Sequence, residues 1–92
     1  MSGWNPQEEH SEEVLTQEVS EHSIVLFNDD VNTFDHVIIS LMQICEHTEE
    51  QAAQCALIVH HKGKCDVKSG PYDELEPRCT ALLDRGLSAE IQ

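Results

Sequence analysis

Apolar positions along the 92-residue chain fall into two distinct periods. Ser23–Phe27 (Ser-Ile-Val-Leu-Phe) is a compact apolar run stopped by Asn28-Asp29-Asp30, the pattern of a short strand ending in a turn. Beyond it, Phe34, Val37, Ile38, Leu41, Ile44 and Cys45 recur at three- and four-residue spacing. That spacing predicts an amphipathic helix with one face on a core. Asn32 and Thr33 are its N-cap candidates, and Asp35 suits its first turn. Thr48-Glu49-Glu50-Gln51 fits a capping box. The helix it opens places Ala52, Cys55, Ala56, Val59 and His60 on one side, and Gly63 is its stop. Cys65–Lys68 reads as a second strand. Ser69-Gly70-Pro71 is expected to start a third helix, with Leu75, Cys79 and Leu82 inward and Gly86 at its end. Pro77 lies inside that pattern and is expected to kink the helix or delay its start. Leu87–Ile91 alternates as a terminal strand. The order β-α-α-β-α-β predicts an α+β fold, three helices on a small three-stranded antiparallel sheet.

Charge divides the chain further. It carries 18 Asp and Glu against 5 Lys and Arg, a formal net charge of −13, which disfavours nucleic acid and anionic membrane surfaces as partners. All five bases lie between Lys62 and Arg85. In residues 1–22 the only apolar side chains are Met1, Trp4, Val14, Leu15 and Val19. This is too little to offset the entropy of ordering, and it predicts a flexible acidic arm over 1–22 and a core domain over 23–92. Composition alone leaves open whether the arm is a solubilising tail or a working part. No apolar run approaches the roughly 18 residues of a spanning helix, and no basic-then-apolar start marks a secretory signal. The expectation is a cytoplasmic chain with its four Cys as thiols.

Three residue groups could carry chemistry. Asn28 and Asp29, with His60 at the end of the second helix, are an amide, a carboxylate and an imidazole, all able to accept hydrogen bonds from an ammonium group. From spacing alone the bland reading is favoured, in which Asn-Asp-Asp is a turn and His60 a helix-end residue. His60, His61, Cys55 and Cys65 offer zinc donors. Adjacent helical residues diverge by about 100°, however, and no C-x-x-C or H-x-x-x-H spacing occurs, so no metal and no cofactor are expected. Cys45, Cys55 and Cys79 sit on apolar stripes as small hydrophobes. A Cys–His nucleophile lacks any glycine elbow or cationic neighbour to activate it, so an enzyme is not expected.

Val25-Leu26-Phe27-Asn28-Asp29-Asp30 and Ala56-Leu57-Ile58-Val59-His60-His61-Lys62-Gly63-Lys64 resemble the V-L-x-N-D-D turn and A-x-x-V-H-x-x-G-K run of the ClpS family. These are adaptors that hand N-degron substrates to a Clp-type AAA+ unfoldase and its peptidase. The resemblance covers residues 23–92, and the two motifs stand in the right order about 30 residues apart. It implies binding of a substrate's α-amine by Asn28, Asp29 and His60. A side-chain pocket is implied at Asn32, Phe34, Val37, Ala56, Val59 and Leu87. Contacts to the N-terminal domain of a ClpA- or ClpC-type unfoldase are implied at Asp73 and Arg78, and the acidic arm becomes a part of delivery. Two departures stand out. Ala56 occupies a position where many members carry Met, and Cys65–Pro77 lacks the family's Cys-Gly step and adds Pro77. The competing expectation is a small interaction domain, or a His/Cys metal protein, with no interest in free N-termini.

Overall fold

The structure, a computed structural model, describes residues 21–92. Most of the acidic arm expected over 1–22 therefore lies outside the described residues. The elements are β1 (His22–Phe27), α1 (Phe34–Cys45), α2 (Glu49–Lys62), β2 (Lys64–Gly70), α3 (Tyr72–Asp84) and β3 (Ser88–Ile91). This is the α+β order that the periodicities predict. The sheet runs β2-β1-β3, antiparallel throughout. Ile24 and Leu26 from the central strand are fully buried with Leu41, Ala52, Leu75 and Leu82 from the helices, which form one core over one face of the sheet.

Local chemistry sets most of the boundaries. The Thr33 hydroxyl accepts from His36 N–H and caps α1. Asn32, the other candidate, has a different task described below. The Thr48 hydroxyl accepts from Gln51 N–H at 3.1 Å while the Gln51 side chain accepts from Thr48 N–H at 2.9 Å, so two orphan donors of α2 are satisfied reciprocally. Gly63 ends α2 at φ 94°, a conformation that favours glycine.

Two expectations about the third helix are corrected. Ser69 and Gly70 do not open it. They close β2, paired with Ser23 and His22, and Pro71 takes the N-cap position. Pro77 does not delay the helix either, because α3 begins at Tyr72 and runs through it. Pro77 lies on the exposed side, where water can satisfy the carbonyl that its missing N–H leaves free. At the other end, Leu87 N–H donates to Leu82 C=O and Gly86 N–H to Leu83 C=O, with Gly86 at φ 85°. This Schellman closure turns Leu87 inward, where it is buried.

Long-range contacts complete the frame. The register of β1 on β2 shifts between Ile24 and Val25, leaving Val67 as the extra residue of a bulge. The Val67 carbonyl is bonded by His47 Nε2 at 2.6 Å. Arg78 of α3 donates to the Ile44 carbonyl at the end of α1, and its guanidinium lies 3.4 Å from Glu46. A cation from another helix thus covers the negative end of α1, which has no basic residue of its own in its last turn.

Candidate functional site

β1 delivers Asn28 to the mouth of a cavity. Asn28 N–H donates to the Gly63 carbonyl at 2.9 Å, tying the β1–α1 loop to the end of α2 and setting Asn28 beside the turn that carries His60. Asp29 folds the loop on itself. One carboxylate oxygen accepts from the N–H groups of Val31 and Asn32 at 3.0 and 2.9 Å, and the other accepts from the Asn32 amide at 2.8 Å. Burial alone would push the Asp29 carboxyl upward. The N–H and amide donors of Asn32 and the N–H of Val31, helped by the nearby His36, outweigh it and hold the group below the usual carboxylate value. The Asn32 amide also donates to the Gly86 carbonyl at 2.9 Å, and His36 Nε2 meets the Arg85 carbonyl at 2.9 Å. Both bonds fasten the turn before Leu87 to the start of α1.

These links enclose a cavity of about 290 Å³. Asn28, Asp29 and His60 line it, as do Asn32, Phe34, Val37, Ala56, Val59 and Leu87. The structure thus brings together all nine residues singled out there from the sequence. Leu26, Phe27 and Asp30 line it as well. The apolar run of β1 signalled a buried strand, but not that its end abuts a cavity. Ala56, Val59 and Leu87 are buried, whereas Phe34 is half-exposed and meets the His60 ring edge-on at 5.6 Å. The apolar floor and the rim of acceptors suit one apolar side chain next to one cationic donor. The volume falls at the small end of ligand pockets.

Asp73 and Arg78 lie elsewhere, on α3. Asp73 is exposed in its first turn, and Arg78 is committed to Ile44 and Glu46. Among the described residues, no three His, Cys, Asp or Glu side chains converge as a metal site would require. Also among them, no helix is long and apolar enough to cross a membrane. The Cys45 thiol is raised by burial to about 11 and that of Cys55 to about 12, and burial also raises Cys79. At neutral pH these three are protonated core groups rather than nucleophiles.

A small α+β domain with an apolar cavity rimmed by hydrogen-bond acceptors has the architecture of a binding module. Comparison with known proteins places it. The profile of the family described as "ATP-dependent Clp protease adaptor protein ClpS" matches residues 17–90. The chain is 33% identical over 84 residues to the Clp protease adapter protein ClpS of Thermosynechococcus vestitus, spanning 90% of this chain and 87% of that one. It is 32% identical over 68 residues to the Streptomyces avermitilis ClpS, spanning 74% of this chain and 65% of the relative. The solved structure of Agrobacterium tumefaciens ClpS2 bound to L-phenylalaninamide shares the fold. Its TM-score is 0.76 at 19% identity, over 80% of this chain and 96% of that one. The chain belongs to the ClpS family of Clp protease adaptors, a family of adaptors rather than proteases.

Proposed function

We propose that this chain captures proteins by their first residue. In this reading Asn28, Asp29 and His60 accept hydrogen bonds from the free α-amine, and the slot formed by Asn32, Phe34, Val37, Ala56, Val59 and Leu87 takes a bulky hydrophobic first side chain. The cargo is then delivered to a Clp-type AAA+ unfoldase. The observation that carries the proposal is the single cavity in which those acceptors sit beside buried apolar walls. A protein N-terminus is an ammonium carried on the same carbon as its side chain, so one small site can test both features. The phenylalaninamide of the Agrobacterium structure is a ligand of the same chemistry. A charged first side chain would be rejected by the cost of desolvation.

Magnitudes agree with an adaptor that must let go. Hydrogen bonds to a charged group contribute roughly 1.5–3 kcal/mol each, and burying a Phe or Leu side chain adds roughly 1.5–3 kcal/mol. Ordering costs of at least about 4 kcal/mol oppose them. Micromolar binding, near −8 kcal/mol, lies at the upper end of that balance and requires a site that is already ordered. The bonds from Asn28 to Gly63 and from Asn32 to Asp29 and Gly86 supply that order without ligand.

On the same reading Asp73 and Arg78 contact the N-terminal domain of a ClpA- or ClpC-type unfoldase. The chain works as a cytoplasmic monomer, with residues 1–22 as an arm used in delivery. The test is fluorescence anisotropy of a labelled Phe-initiated peptide, free and N-acetylated, against wild type and His60→Ala. Binding is expected only for the free amine and only with wild type. Equal binding of the acetylated peptide would overturn the proposal.

A further inference from the structure

The geometry points to Asn32 as a specificity-determining residue that favours Tyr and Trp over Phe and Leu at the first position of the cargo; this rests on the degron reading above. The argument is an account of one side-chain amide. Asn32 Nδ2 donates to Asp29 Oδ2 and to the Gly86 carbonyl. Both partners are acceptors, so the amide has one allowed orientation, since a flip would set its oxygen against two oxygens. Oδ1 is thereby committed to the other side, and among the described residues no donor reaches it. Asn32 is half-buried and lines the cavity.

With Nδ2 held by Asp29 and Gly86, Oδ1 is the polar atom that Asn32 has left to offer the cavity it lines, and an unpaired acceptor beside apolar walls discriminates in both directions. A Phe or Leu side chain displaces water from Oδ1 and gives it nothing in exchange, which costs binding. The Tyr hydroxyl and the Trp indole N–H are donors on rings of suitable shape, and either restores the bond. Selection by a satisfied polar group is sharper than selection by apolar size alone.

The experiment compares matched ligands by competition anisotropy. Peptides beginning with Trp are set against the same peptides beginning with benzothienylalanine, which replaces the N–H by sulfur, and Tyr-initiated peptides against Phe-initiated ones. Proteins are wild type and Asn32→Ala. Wild type is expected to prefer at least one donor-bearing member of these pairs by about fivefold, and Asn32→Ala to bring both ratios close to one. Loss of the loop bonds in Asn32→Ala weakens all ligands together and leaves a ratio unmoved, so the ratio separates recognition from scaffolding. Should Asn32→Ala bind nothing, the indole N–H proton of Trp peptide bound to wild type decides the matter. Slowed exchange and a downfield shift support the assignment, and a solvent-like resonance overturns it. Ratios near one in wild type with Phe bound, or a preference that survives in Asn32→Ala, overturn this inference alone. A wild type that fails to bind Phe-initiated peptide overturns the degron reading, and this inference with it.

Discussion

Asp29 offers about four lone-pair positions and spends three of them on its own loop, on Val31 and twice on Asn32. It has room for one more hydrogen, so on the proposed reading Asn28 and His60 complete the seat for the ammonium. The turn was legible from the sequence, because Asp29 satisfies itself within four residues, on Val31 and Asn32. The pinning of Asn32 was not, since its second partner is Gly86, 54 residues away. Asn28 and His60 as a pair were legible only through the likeness to ClpS motifs; spacing alone favoured an ordinary turn and helix end. Ala56 brings the question of slot width to the same scale. It is 3% exposed and lines the cavity with no more than a methyl group. Wild type is therefore expected to bind Ile- or Val-initiated peptides measurably, and Ala56→Met to lose them about tenfold while keeping Phe, since the longer side chain refills the wall where β-branching needs width. Ile-initiated peptides binding wild type no better than Gly-initiated ones would refute this.

At the scale of elements, the boundaries that sequence patterns predicted well are those closed by neighbours. Thr48 and Gln51 need only each other, and Gly63 needs only its own backbone freedom. Ser69 and Gly70 misled because their partners, Ser23 and His22, lie on another strand. The cap on α1 was hidden for the same reason, as Arg78 reaches Ile44 across 34 residues. Arg78 thus holds α1 to α3 whatever else it touches. Removing the guanidinium in Arg78→Met is expected to cost about 1–3 kcal/mol, from an orphaned carbonyl and a lost charged hydrogen bond. In a domain of this size that lowers Tm by several degrees. Asp73→Ala, on an exposed first turn, is expected to stay within about 0.5 kcal/mol. Calorimetry on the pair checks both, and makes Asp73 the cleaner probe of unfoldase contact.

For the whole molecule, stability is bounded by titration at both ends of the pH scale. The native Asp29 carboxyl lies below its ordinary value of 3.8. Its contribution is complete above the unfolded value and is lost as pH falls through the lower native one. The thiols act at the opposite limit. Cys45, Cys55 and Cys79 are raised from 9.0, the first two to about 11 and 12. Their burial costs nothing extra below pH 9, and stability falls as pH rises from there toward the native values. Urea midpoints under reducing conditions are expected to decline on both sides of a plateau from about pH 4 to 9. Cys45→Ala is expected to flatten the alkaline side relative to its own plateau; an unchanged alkaline slope would count against the thiol assignment.

The central strand also fixes a polarity in space. β1 enters the sheet at His22, beside Gly70, and leaves it at Phe27, where Asn28 meets the cavity. Ser23 exchanges both backbone hydrogen bonds with Gln92, so the two ends of the described chain are neighbours. Six residues of strand at about 3.3 Å each put them roughly 20 Å from the mouth of the cavity. The described domain therefore has a tethering pole, at its chain ends, and a cavity pole. A fluorophore or a surface anchor joined at Gln92 is held at that distance from the cavity.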